Sequence, residues 1–113
     1  MIKRTSTSFG VFWYKNDLLH RDDGPALEFP DGTCKWYLNG VPHRLDEPAI
    51  IRPTGHEEWW INGKRHRDDG PAVKWADGGK SWWLNGVRYT EDEFMLIQFG
   101  KGIIIVGELY QNK

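Results

Sequence analysis

Tryptophan returns at Trp13, Trp36, Trp59 and Trp82, each 23 residues after the last, and each opens a copy of one short motif. The copies read WYKNDLLHRDDGPALEFPDGTCK, WYLNGVPHRLDEPAIIRPTGHEE and WWINGKRHRDDGPAVKWADGGKS, and WWLNGVRYTED begins a fourth that breaks off. A period of that length dictates an array, in which one supersecondary unit per copy buries its apolar side against the next. At 113 residues the chain is one domain, too short for two conventional cores. Side chains stamped several times by the repeat are expected to hold units together rather than to perform chemistry.

Asn39-Gly40, Asn62-Gly63 and Asn85-Gly86 lie between apolar and aromatic runs, the strongest short-range signal for a two-residue type I′ hairpin, and Asn16-Asp17 is a weaker first copy. Two-residue loops place Leu38 opposite Val41, Tyr37 opposite Pro42 and Trp36 opposite His43. They likewise pair Trp13 with His20, Trp59 with His66 and Trp82 with Tyr89. A second turn falls at Asp31-Gly32, Thr54-Gly55 and Asp77-Gly78. Counted as two residues, it sets Leu27, Ile50 and Val73 beside Trp36, Trp59 and Trp82, and Glu28 opposite Lys35.

Alternation then divides the sheet into two faces. Face one carries the four repeated tryptophans, Leu38, Val41, the histidines and the aliphatics of the second hairpin, and is expected to be buried. Face two carries Tyr14, Tyr37, Trp60 and Trp83, with Leu19, Pro42, Arg65 and Arg88 opposite them and Ala26, Ala49 and Ala72 on the other flank. Arginine beside a ring can stack on it, and Tyr, Trp and Arg are enriched where proteins bind partners. Tyr14, Tyr37, Trp60, Arg65, Trp83 and Arg88 are therefore the candidate partner-binding residues, against the simpler reading that the rings stiffen a thin sheet. At two strand spacings per repeat the four rings stand about 10 Å apart.

Between hairpins, His20 to Ala26 and His66 to Ala72 spell the link HRDDGPA, while the middle copy, His43 to Ala49, has Leu45 for an aspartate and Glu47 for the glycine. Either the glycine is dispensable or that link is built differently. Thr90-Glu91-Asp92-Glu93 reads as a helix start with Thr90 as N-cap, predicting a helix over 91–99. Ile103 to Leu109 then reads as a closing strand, the two forming a cap on the open end of the array.

His-Arg-Asp at 20–22 and 66–68 matches a kinase catalytic loop only in letters, since no glycine-rich loop or DFG accompanies it. His20, His43 and His66 would stand about 10 Å apart along the sheet, too far to share a zinc ion that needs donors about 2.1 Å away. Neutral histidines bonded to the link aspartates are expected instead, and His56 is expected in solvent. Cys34 is alone and is expected to share a face with Phe29 and Trp36 as a small buried thiol. No catalytic residue, metal or cofactor is expected. A net charge of −1 gives no pull toward nucleic acid or anionic membrane. The unpaired cysteine and the polar first residues point to a reducing cytosol, and no segment is apolar enough to insert in a membrane.

The W-[WY]-x-N-G-x-x-H-R core and the 23-residue period resemble the MORN family of β-hairpin repeats, over about Phe12 to Tyr89. They are closer still to divergent WYxNGxxHRxDGPA repeats of bacteriophage and large-virus proteins. The resemblance implies a mainly β single domain, an array of antiparallel hairpins in one elongated twisted sheet over 12–89 with the helix-and-strand cap over 90–113. It implies a non-enzymatic viral accessory protein in the host cytoplasm that binds and inhibits or redirects a host protein, for instance a defence component. A small ring-bearing ligand such as a nucleotide or glycan ranks second as partner and nucleic acid third; a structural or assembly role is a further alternative. A lone sheet must cover its apolar face, so a homodimer is also open.

Overall fold

The computed structural model describes residues 1–100. The elements are β1 (Ile2–Thr7), β2 (Gly10–Lys15), β3 (Leu18–Leu19), β4 (Leu27–Glu28), β5 (Cys34–Lys35), β6 (Tyr37–Leu38), β7 (Val41–Pro42) and β8 (Ile50–Ile51). They continue with β9 (Glu57–Glu58), β10 (Trp60–Ile61), β11 (Lys64–Arg65), β12 (Val73–Lys74), β13 (Lys80–Leu84), β14 (Val87–Tyr89), α1 (Glu91–Met95) and a π-helical turn, Leu96–Gly100. The main sheet runs β1-β2-β4-β5-β8-β9-β12-β13-β14 with β3 beside β2, and the hairpins β6-β7 and β10-β11 stand alongside. The fold is a mainly β array of antiparallel hairpins, open at both ends among the described residues and elongated at 58 × 30 × 19 Å.

The Asn-Gly hairpins follow from their loops. Asn39 and Gly40 take φ of 50° and 84°, the mirror-image turn that suits the strand twist, and Tyr37 pairs with Pro42 and Leu38 with Val41 as expected. The same register joins Trp60 to Arg65 and Trp83 to Arg88. Glycine is doubly required in this turn, because a Cβ on Gly63 would stand 3.2 Å from Cβ of Val41 in the preceding hairpin. Adjacent hairpins are stitched by backbone bonds: Gly40 N–H donates to Leu19 O at 2.8 Å, and Arg21 N–H to Tyr37 O at 3.2 Å. β13 runs on through Trp82, whereas Trp36 and Trp59 separate β5 from β6 and β9 from β10 and are held by backbone bonds to Ala49 and His43 and to Ala72 and His66; each returning strand is split by a link.

The second turn differs from the expected one. Phe29 N–H donates to Thr33 O at 2.9 Å, so the loop holds three residues, with Asp31 Oδ1 accepting from Thr33 N–H and Gly32 at φ 97°. Leu27 therefore pairs with Lys35, not Trp36, and Glu28 with Cys34, not Lys35. A one-residue shift exchanges the faces of everything beyond the turn. Leu27, Ile50 and Val73 lie on face two with the Tyr and Trp rings, through pairing with Lys35, Glu58 and Ser81. Ala26, Ala49 and Ala72 move to face one. All six are buried, the alanines completely, so the alanines do not leave the face-two rings open. Trp13, Trp36 and Trp59 are each bracketed in the backbone by alanine and histidine, as where Trp36 N–H donates to Ala49 O at 2.7 Å and Trp36 O accepts from His43 N–H at 3.1 Å, whereas Trp82 pairs with Tyr89.

Both ends carry something outside the repeat. At the start, β1 pairs along the whole of β2, from Ile2 with Lys15 to Thr7 with Gly10. At the finish, Thr90 caps α1 in a full capping box: its side chain accepts from Glu93 N–H, and Glu93 Oε1 accepts from Thr90 N–H at 2.8 Å. The α-helix is shorter than expected and gives way at Leu96 to the wider turn. Phe94 is fully buried, and Gln98 Nε2 donates to Asp68 O of the third link at 3.1 Å. The expected closing strand over Ile103 to Leu109 lies outside the described residues.

Candidate functional site

On face two, the register that pairs Trp60 with Arg65 and Trp83 with Arg88 also lets Arg65 reach the next repeat. Its Cζ stands 5.2 Å from the Trp60 ring and 5.0 Å from the Trp83 ring, so one guanidinium lies between two half-buried indoles. The indoles are fixed from the strand before them. Residues two apart share a face, and Trp60 Nε1–H donates to Glu58 Oε1 at 2.8 Å while Trp83 Nε1–H donates to Ser81 Oγ at 2.8 Å. Glu58 also holds Arg65 Nη2 at 3.5 Å and bonds His56 Nε2 through its other oxygen at 2.7 Å. Burial pushes the Glu58 carboxyl up. The hydrogen bonds from His56 and Trp60 and the charge of Arg65 outweigh it and hold the carboxyl below its ordinary value. Among the described residues, Arg65 Nε is buried without a hydrogen-bond partner.

The expected row of six residues is thus unequal. Trp60, Arg65 and Trp83 form one cluster, with the exposed Arg88 opposite Trp83 on its outer side. Tyr14 and Tyr37 are half-buried on the same face, opposite Leu19 and Pro42, and no cation stacks on either among the described residues. Tyr14 lines a separate cavity of 240 Å³ with Lys3, its partner on β1. His56 is not in solvent: its side chain is 15% exposed and its ring lies 6.4 Å from that of Trp75. The alternation His56, Glu58, Trp60 opposite Arg65 carried this cluster in the sequence.

Face one holds a second set of stacked cations that the repeat count alone did not reveal. Arg21, Arg44 and Arg67 lie over Trp13, Trp36 and Trp59 with Cζ 4.0, 3.8 and 3.9 Å from the rings. Each donates to the carbonyl of the link proline, Pro25, Pro48 or Pro71, and each meets a carboxylate, Asp23, Glu47 or Asp69. The glycine of the regular link makes room for this, because a Cβ on Gly24 would come 2.9 Å from Arg21 Cζ. The middle link is locally different, with Asp46 at φ 65° and Glu47 supplying the carboxylate at 3.3 Å.

The histidines are clamps. Nδ1 of His20, His43 and His66 each accepts from the backbone N–H of Asn39, Asn62 or Asn85 in the next hairpin at 2.9 Å. An accepting Nδ1 leaves the proton on Nε2, which points at Asp22 or Asp68 at 2.8 Å in the two regular links. Cys34 shares its face with Glu28 rather than Phe29, and burial, with Glu28 adding to it, pushes the thiol up, away from the nucleophilic thiolate. Between the second and third links lies a cavity of 460 Å³ lined by apolar Leu45, Pro48, Trp59 and Ile61 and by charged groups of both links, among them Arg44, Glu47, Arg67 and Asp68.

No protein family, curated protein or solved structure matches the chain. No helix among the described residues is long and apolar enough to cross a membrane.

Proposed function

We propose that the chain is a non-enzymatic recognition module whose face two binds a protein partner, centred on Trp60, Arg65 and Trp83 with Arg88 at the edge. What carries the reading is Arg65: a guanidinium held between two indoles whose side chain is still 33% exposed, so that its outer N–H groups can donate to an acceptor that a partner brings. Aromatic and arginine side chains on a half-buried, prefixed surface give area at little entropic cost, which is the composition of interface hot spots. In line with the resemblance to phage and viral hairpin repeats, the partner we propose is a host protein, with components of host defence as first candidates.

The test is quantitative capture from host lysate by the wild-type chain and by Trp60→Ala/Trp83→Ala. A partner retained by the first and lost by the second supports the reading. Equal recovery of every captured protein by both chains rejects it. A second reading, binding of a small ring-bearing ligand, draws on the 460 Å³ cavity between the links. Its mark would be a change in tryptophan fluorescence on adding nucleotides or oligosaccharides to the isolated chain.

A further inference from the structure

A net charge of −1 conceals an uneven division of charge between the two faces. Residues paired across strands point to the same side, so the register assigns each charged side chain of the strands to a face. Face two receives Lys3 through its pairing with Tyr14, Lys35 through Leu27, Arg65 through Trp60 and Arg88 through Trp83. Arg52 joins them, since its N–H donates to the carbonyl of His56, which shares a face with Glu58 and Trp60. Against these cations the strands supply one carboxylate to face two, Glu58, which is 12% exposed and already bonded to His56, Trp60 and Arg65.

Face one is balanced by comparison: each stacked arginine of a link meets a carboxylate, and Lys74 meets Glu57 at 3.8 Å. On face two no carboxylate lies within ion-pair distance of Lys3, Lys35, Arg52 or Arg88 among the described residues. Asp31 stands close enough to Arg52 to feel its charge, but its Oδ1 is turned to the N–H of Thr33, as that of Asp77 is to Gly79. Lys3, Arg52 and Arg88 are exposed, and Lys35 is half-buried with Nζ 5.5 Å from the Phe29 ring. Three of these cations surround the ring cluster: Arg88 lies across from Trp83, Arg52 across from His56, and Lys35 one strand beyond Ile50 from Glu58. Past Arg88 the strip ends, because Glu91 and Glu93 share a cavity with it.

We propose that the partner of face two presents an acidic segment, whose carboxylates meet Arg52, Arg88 and Lys35 around the Trp60–Arg65–Trp83 cluster. The inference rests on the reading of face two as the binding face and adds the chemistry of what binds there. Arg65 already lies over both indoles, and their N–H groups are bonded to Glu58 and Ser81, so a nucleic-acid base stacking between them would have to displace it. What the face offers instead is cationic N–H groups around ring edges, which suits carboxylates. Single exposed charge pairs contribute little, but several of one sign speed association and exclude basic competitors.

The probe is decaglutamate, titrated into the full chain at low ionic strength beside a Gly-Ser peptide and a thymidylate oligonucleotide of equal length. Decaglutamate is expected to bind saturably and to move the indole N–H resonances of Trp60 and Trp83, and the Gly-Ser peptide to leave them in place. Arg52→Gln/Arg88→Gln changes only exposed side chains and is expected to weaken decaglutamate about tenfold. Lys64→Gln/Lys80→Gln removes as much exposed charge from face one and should leave binding unchanged. Raising the ionic strength to about 0.15 M, where charges act over about 8 Å, should weaken the wild-type complex and narrow the difference between the variants. No binding of decaglutamate, equal losses in the two double variants, or tighter binding of the oligonucleotide overturns the proposal. A lysate partner lost with Trp60→Ala/Trp83→Ala while decaglutamate fails to bind removes the acidic partner alone and leaves face two as the binding face.

Discussion

Glu58 shows how one residue on a thin sheet can carry several duties. Its two oxygens serve His56, Trp60 and Arg65, and the net effect lowers its pKa. A group whose folded pKa lies below its unfolded value contributes stability above the unfolded pKa, and that contribution is lost as pH falls through the folded one. Glu58→Gln is therefore expected to cost about 1 kcal/mol at neutral pH, the difference between charged and neutral hydrogen bonds. It should also flatten the loss of stability below the ordinary glutamate value of 4.5. Urea unfolding at a series of pH values measures both. A second test concerns the link glycine, which makes room for the stacked arginine. Gly70→Ala would put a Cβ 3.0 Å from Arg67 Cζ and displace it from Trp59. Gly70→Ala and Arg67→Ala should each cost roughly 0.5–1 kcal/mol through the same lost contact. The double variant should then fall short of the sum by a similar amount, read as a double-mutant cycle.

At the scale of the hairpin, the two turns of each repeat show what the sequence discloses and what it hides. The Asn-Gly turn was legible in full, register included, because two residues at positive φ admit one geometry. The position of the Asp-Gly turn is legible in the sequence, but its loop length is not. Its aspartate accepts from the residue two ahead and leaves the glycine as third loop residue at φ near 95°, as at Gly78 with 94°. That single residue moved three aliphatics and three alanines to opposite faces, so the ring row was identified while its surroundings were not. The stacked Arg21, Arg44 and Arg67 were hidden because their rings are contacted through a link with no regular periodicity. β1 was missed because its polar TST segment looks like a tail until Gly10 and the strand after it are seen to need a partner. For the turn itself, Gly78→Ala meets no atom within 4 Å, so its cost is backbone strain alone, about 1–2 kcal/mol. Gly55→Ala should match it, having the same open surroundings, and Gly78→Asn should cost less, since asparagine tolerates positive φ. Thermal unfolding of the three variants decides whether the turn acts through its φ.

For the molecule as a whole, the repeat makes a quantitative demand. Three features recur with the period: the histidine clamp to the next asparagine, the bond from the residue after the histidine to the next hairpin, and the arginine of the link stacked on its own repeat's tryptophan. The ends interrupt it in a definite way. Thr90 N–H occupies the position from which Arg21, Arg44 and Arg67 N–H donate to Tyr37 O, Trp60 O and Trp83 O, and in the capping box it donates to Glu93 instead. The ladder is closed there by a side chain rather than by another strand. An additional copy of residues 36–58 inserted after Glu58 should therefore fold as one more unit, since its contact with residues 59–81 already exists in the chain and the new one, between two copies of 36–58, reuses the two surfaces that already meet residues 13–35 and 59–81. The molecule should lengthen by about 10 Å, two strand spacings. Its stability should rise, because the ends are unchanged while one more interface is gained. Small-angle scattering gives the first and urea unfolding the second. A sheet that closes on itself as it grows would leave the maximum dimension unchanged. A more expanded and less stable chain would mean that the units are not interchangeable, and that the irregular link at Leu45–Glu47, which the insertion duplicates, can be accommodated only once.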